Sequence, residues 1–181
     1  MAVIYLHYYK NVSKAAEIMN KKINIGARRI TISTAGIVSK IYKMADDKLP
    51  YKLAISLNAP NDEIRKRIMP LTINNPIKEL IKSAEYYYGK LKRFVTFEYV
   101  LLEDINDSEA CAFELMKLLQ DIPCKLNLIP YNEIGGKFSR PKNKSIDTFI
   151  DALKNAPFTV TVRWSKGTKI DAGCGQLAVK N

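Results

Sequence analysis

The segment Asp171-Ala172-Gly173-Cys174-Gly175-Gln176-Leu177 sets one cysteine between two glycines. Unhindered backbone on both sides lets Cys174 be presented from a turn, where a reactive thiolate needs access. An inert thiol is the other reading. Cys111, on the core face of a helix, and Cys124, just ahead of a buried strand, read as packing. The three cysteines lie too far apart to be ligands of one zinc or iron–sulfur site, so no metal site is expected from them.

A second group of residues could bind rather than react. Ser33-Thr34-Ala35-Gly36, Ser56-Leu57-Asn58-Ala59-Pro60-Asn61-Asp62, Glu103-Asp104-Ile105-Asn106-Asp107 and Pro130-Tyr131-Asn132 each follow an apolar, β-rich run. Hydroxyls and amides gathered on one rim suit a ligand with ribose hydroxyls and an amino-acid head. The same residue types cap helices. For Ser33 and Asn132 both readings stand; for Asn61 and Asp62, directly ahead of Glu63-Ile64-Arg65, capping is favoured. Glu98 alternates with Thr96 and Val100 and is expected to face a barrel interior, with an Arg or Lys partner from a neighbouring strand. Its role could be structural or proton-handling. Trp164 could stack on a base or pack at an edge.

The elements that position these groups alternate. Extended runs at 29–33, 52–57, 94–102, 125–129 and 158–163 are separated by segments of helical period. Val12, Ala15, Ala16 and Met19 form one apolar stripe; Ile77, Leu80, Ile81 and Ala84 form another; Ala112, Leu115, Met116 and Leu119 form a third. A further helix is expected near 145–155. Pro76 suits a helix first turn, and Asp107 or Ser108, and later Ser145, are candidate caps. Strands alternating with helices predict βαβ units and a parallel sheet, with ligands at the C-terminal strand ends. Four βα-type strands cannot close an eight-stranded barrel, so an open or partial barrel is expected, as a single α/β domain over 1–181.

Composition limits the partners. The chain has 181 residues, with 47% hydrophobic and 26% charged, which is globular and excludes collagen-like or largely disordered chains. No apolar run nears the ~20 residues that span a bilayer, so no membrane partner is expected. The first residues lack a basic region and a small-residue cleavage site, so no secretory signal is expected. Scattered cysteines fit a reducing, cytoplasmic setting. Twenty-nine Lys plus Arg against eighteen Asp plus Glu leave a net charge of +11, which favours a polyanion such as RNA. A lysine-rich genome is the plainer explanation. The basic, Gly- and Pro-marked loop over 133–144 suits a binding role.

Several strings together resemble one family. Asn24-Ile25-Gly26-Ala27-Arg28-Arg29-Ile30-Thr31-Ile32-Ser33-Thr34-Ala35-Gly36 is similar to the third strand region of the radical-SAM adenine-C2 RNA methyltransferases. Leu53 to Arg65 resembles the next block, where the family usually has His at the position of Asn58. Glu98-Tyr99-Val100-Leu101-Leu102, Leu126-Asn127-Leu128-Ile129-Pro130-Tyr131-Asn132 and the Cys174 segment complete the series, over roughly residues 11–179. The resemblance implies a partial (β/α) barrel of the radical-SAM type that acts on C2 of adenine in 23S ribosomal RNA and transfer RNA. It implies S-adenosylmethionine held by Ser33, Ser56, Leu57, Asn58 and Asn132. Cys174 matches the cysteine that is itself methylated and then delivers its carbon, as a radical, to the adenine. Adenine C2 is too weak a nucleophile for direct methyl transfer, which gives this route its chemical sense.

The departures shape the remaining expectations. The family's Cys-x-x-x-Cys-x-x-Cys triad, which holds its [4Fe–4S] cluster, has no counterpart in these residues. The Gly-Glu motif, the second cysteine and the N-terminal accessory domain are also unmatched. The chain is therefore read as the C-terminal part of such an enzyme, inactive alone, with an upstream chain as a possible partner. The alternative is a cluster-free remnant that binds RNA without chemistry.

Overall fold

Leu53-Ala54-Ile55 is apolar throughout, whereas Val95-Thr96-Phe97-Glu98-Tyr99 alternates, and each offers one apolar face that helices can cover. The computed structural model describes residues 8–133 and 137–164. Five strands form one sheet: β1 (Thr31–Thr34), β2 (Lys52–Ser56), β3 (Val95–Leu101), β4 (Cys124–Pro130) and β5 (Thr159–Val162). Their spatial order follows the chain, and every pairing is parallel. This is the expected α/β partial barrel.

The helices are α1 (Tyr9–Lys21), α2 (Val38–Asp46), α3 (Asp62–Ile68), α4 (Ile77–Leu91), α5 (Glu109–Leu119) and α6 (Asn143–Ala152). Right-handed crossovers between successive neighbours put their helices on one side of the sheet. The register agrees: Ile32, Leu53, Ile55, Phe97, Tyr99, Leu126 and Leu128 share that side and join Ile41, Leu80, Leu115 and Phe149 of the helices in a continuous core. The other face is polar. Ser56, Glu98, Asn127 and Thr161 fall in one row across four strands, with Ser33, Ala54 and Thr96 one row below. Among the described residues, no helix is long and apolar enough to cross a membrane.

Several local expectations are corrected. Helix α2 was not anticipated, although Ile41, Met44 and Ala45 are wholly buried on one side of it. Ser145 lies inside α6, whose cap position is Lys142 and has no side-chain cap. Glu98 makes no ion pair within 4 Å among the described residues; the cation that acts on it is Arg163, past β5 and two strands away. Ser108, not Asp107, caps α5 by accepting from the Cys111 amide at 3.2 Å.

Candidate functional site

The chain leaves β1 and β2 through turns that one residue ties together. Arg65, on α3, is fully buried. Its Nε donates to the Leu57 carbonyl at 2.9 Å, and Nη2 donates to the carbonyls of Ala35 at 2.8 Å and Ser56 at 3.1 Å. Nη1 donates to Thr72 Oγ1 at 3.0 Å and to the Asn75 carbonyl at 3.3 Å. Desolvation pulls its pKa down to about 10, so the group is still a cation at neutral pH. These bonds join both strand ends to the 3₁₀ turn Pro70–Ile73.

Capping accounts for many of the strand-end polar groups. Asn61 Oδ1 accepts from the Ile64 amide at 3.0 Å and caps α3. Asp62 instead reaches the next helix, accepting from the Ile77 amide at 2.8 Å at the start of α4. Thr34 Oγ1 accepts from the Gly36 amide at 3.1 Å. Asn106, buried, donates to the carbonyls of Asn58 and Val100 and accepts from the Leu102 amide.

Between these turns lies a cavity of about 340 Å³, lined by Ser33, Ser56, Asn58, Met69 and Leu71 among others. Three of the five anticipated binding residues, Ser33, Ser56 and Asn58, therefore share one wall. Asn58 has left-handed backbone, φ 60°, a conformation asparagine tolerates. Its Oδ1 accepts from the Val100 amide at 3.0 Å and its Nδ2 meets Met69 Sδ at 3.2 Å, so this side chain also binds the cavity together. Leu57 points into the core and offers its carbonyl to Arg65. Asn132 stands beyond β4, outside this cavity.

Two atoms remain unexplained by folding. Among the described residues, Ser33 Oγ and Asn132 Oδ1 are buried side-chain polar atoms without a hydrogen-bond partner. An orphaned group of this kind costs ~1–3 kcal/mol and calls for an explanation such as a ligand. Both were anticipated as binding residues, and both fit a ligand rich in donors and acceptors. S-adenosylmethionine is such a ligand. A metal site is a different matter: among the described residues no group of three or more His, Cys, Asp or Glu could hold an ion, so they do not by themselves fit the implied cluster.

Of the other candidates, Cys111 and Cys124 are buried, and desolvation raises the Cys124 thiol to about 12. Both are packing residues. Cys174 lies outside the described residues. Arg65 was missed as a site-building residue; its neighbours Glu63, Lys66 and Arg67 make the local sequence look like an exposed charged helix.

A parallel partial barrel with a cavity at its C-terminal strand ends places the chain among the α/β barrel proteins, a class whose sites lie at that end. Comparison narrows it. Relatives described as "Probable dual-specificity RNA methyltransferase RlmN" from Thermoanaerobacter sp. (strain X514) and Flavobacterium johnsoniae are 45% identical over 177 and 175 residues. A third, from Clostridium botulinum (strain Alaska E43 / Type E3), is 46% identical over 175 residues. Each match takes in 95% of this chain and 50–51% of the relative, so the chain spans about half the length of the curated relatives it matches. The crystal structure of a radical SAM methyltransferase from Sphaerobacter thermophilus superposes with a TM-score of 0.89 at 42% identity, over 94% of this chain and 51% of that one. A domain of pyruvate-formate lyase-activating enzyme from Bacteroides vulgatus shares the fold alone, with a TM-score of 0.64 at 13% identity over 90% of this chain and 99% of that one. No family model matches. The chain is thus a homologue of the radical-SAM dual-specificity RNA methyltransferases, and the resemblance to their C-terminal part fits these matches.

Proposed function

We propose that this chain is the S-adenosylmethionine-holding, methyl-carrying part of an enzyme that methylates C2 of adenine in ribosomal and transfer RNA. The observation that carries the reading is the pair of orphaned atoms, Ser33 Oγ and Asn132 Oδ1, at the C-terminal ends of β1 and β4. The Ser33 hydroxyl can donate or accept, whereas Asn132 Oδ1 can only accept, from an amino group or a ribose hydroxyl. Ser56 and Asn58 line the same cavity as Ser33, and Arg65 ties its strand ends together through the Ser56 carbonyl. S-adenosylmethionine bound there would supply an electrophilic methyl group, and the [4Fe–4S] cluster that the resemblance implies would supply an electron. Cys174 is the proposed methyl carrier, a role that suits a thiolate nucleophile. The net charge of +11 supports RNA as the substrate.

Equilibrium dialysis against S-adenosylmethionine tests the binding half. One site per chain is expected, weakened about tenfold by Ser33→Ala or Asn132→Ala, the loss of one hydrogen bond of ~1–1.5 kcal/mol. Equal affinity in parent and variants would overturn the assignment. Intact-protein mass after incubation with S-adenosylmethionine and the N-terminal half of a full-length relative tests the methyl-carrying half. A methyl group on Cys174, absent in Cys174→Ala, is expected; RNA binding with no mass change would favour a binding remnant instead.

A further inference from the structure

Beyond β4 and β5 stands a group of side chains that the cofactor reading leaves unused. Trp164 follows β5 and is 50% exposed. The Arg140 guanidinium lies over its ring, 5.9 Å from the centroid. Arg140 is anchored in turn: its Nη1 donates to the Tyr131 carbonyl at 3.3 Å, and its amide donates to Glu133 Oε1 at 3.4 Å. Phe138 meets Tyr131 edge-on at 6.4 Å and carries the Lys137 ammonium 5.1 Å from its ring centroid. Tyr131 immediately precedes Asn132, one of the two orphaned binding residues.

Edge packing does not account for this arrangement. An indole used to seal an edge would bury most of its large apolar area, yet half of Trp164 stays in solvent. A cation over the ring fixes its orientation by cation–π attraction while leaving ring surface available. Aromatic rings interleaved with Lys and Arg are what single-stranded nucleic acid selects: bases stack on the rings, and the cations neutralise the adjoining phosphates.

We propose that Trp164, oriented by Arg140, is a stacking platform for one unpaired base of the RNA, at the β4–β5 side of the strand-end rim. The proposal rests on the RNA reading above and adds the subsite that reads the strand. Stacking is sequence-tolerant because every base has a π-face, so this subsite orients RNA rather than selecting its sequence.

Trp164 is the chain's only tryptophan, so its fluorescence reports on this position alone. The test titrates a single-stranded RNA hexamer, and an abasic RNA of equal length, into the full chain at low salt. The hexamer is expected to quench Trp164 emission, and the abasic strand to bind more weakly without quenching. By anisotropy, Trp164→Leu should weaken hexamer binding about tenfold, within the range for loss of one stacked base, while Trp164→Phe keeps most of it. Abasic RNA and S-adenosylmethionine should bind Trp164→Leu as they bind the parent. Equal binding of both strands without quenching would overturn the platform and leave RNA as the partner. If neither strand binds, both the platform and the RNA reading are overturned. The quenching arm uses the unaltered chain, so the proposal stays falsifiable even if Trp164→Leu fails to fold.

Discussion

Gly36 and Arg65 compete for the same space: a β-carbon on Gly36 would lie 2.7 Å from Arg65 Nη2. That nitrogen is the one bonded to the carbonyls of Ala35 and Ser56, so the glycine and the guanidinium together shape the turn at the cavity. Gly36 also has φ 99°, which disfavours any side chain. Gly36→Ala should therefore cost about 1–3 kcal/mol in urea unfolding, and it should weaken S-adenosylmethionine binding in dialysis. Arg65→Met, which keeps the stem and removes the donors, should cost about 3 kcal/mol or more, because several buried carbonyls lose their partner.

Ser33→Ala separates a binding residue from a structural one. Its hydroxyl has no partner among the described residues, so removing it should leave the ligand-free stability unchanged or raise it by ~1 kcal/mol. Thermal unfolding with and without S-adenosylmethionine checks this. The parent should gain more stability from the ligand than the variant does, because ligand stabilisation follows affinity. A variant clearly less stable without ligand would mean that the hydroxyl serves the fold.

The strands were legible because parallel strands covered by helices read as short runs of apolar and β-branched residues closed by turn residues, and all five fall where such runs occur, β5 included although Thr159 and Thr161 are exposed. The polar residues at their ends were legible as a group but not individually. Asn61 and Asp62 look alike in the chain, yet one caps its own helix and the other caps a helix fifteen residues later. Only the three-dimensional hydrogen-bond pattern distinguishes Thr34, already engaged by Gly36, from its neighbour Ser33, whose hydroxyl has no partner among the described residues. Helix α2 was readable, since Val38, Ile41 and Ala45 recur at helical spacing, but its short length and the flanking lysines hid it. Arg65 left no signal, because nothing local marks a cation whose partners are all distant carbonyls and a hydroxyl.

The basic stretch that follows β4 should contribute to RNA binding mainly through phosphates. Lys142 and Lys144 are exposed, and Lys137 stands beside Phe138. Replacing all three with Gln should weaken single-stranded RNA binding. It should also flatten the slope of log affinity against log salt by ~0.7 for each phosphate that is no longer neutralised. Titrations at several salt concentrations measure this directly. An unchanged slope would remove these lysines from the interface.

Glu98 carries the pH prediction. It sits on the polar face of the sheet, in the row between Ser56 and Asn127, and is 9% exposed. Burial raises its pKa above the usual carboxylate value, and the Arg163 charge only partly offsets this. The folded chain therefore holds this proton more tightly than the unfolded chain does. The resulting stability is fully present below the unfolded pKa and is lost as pH rises through the raised folded value. Glu98→Gln keeps the shape and cannot ionise, so the variant should be more stable than the parent at neutral pH. The difference should shrink as pH falls below the ordinary glutamate range. Urea unfolding of both proteins across that range checks the sign; a parent that gains stability over Glu98→Gln as pH rises would mean that the carboxylate is held as an anion by a partner.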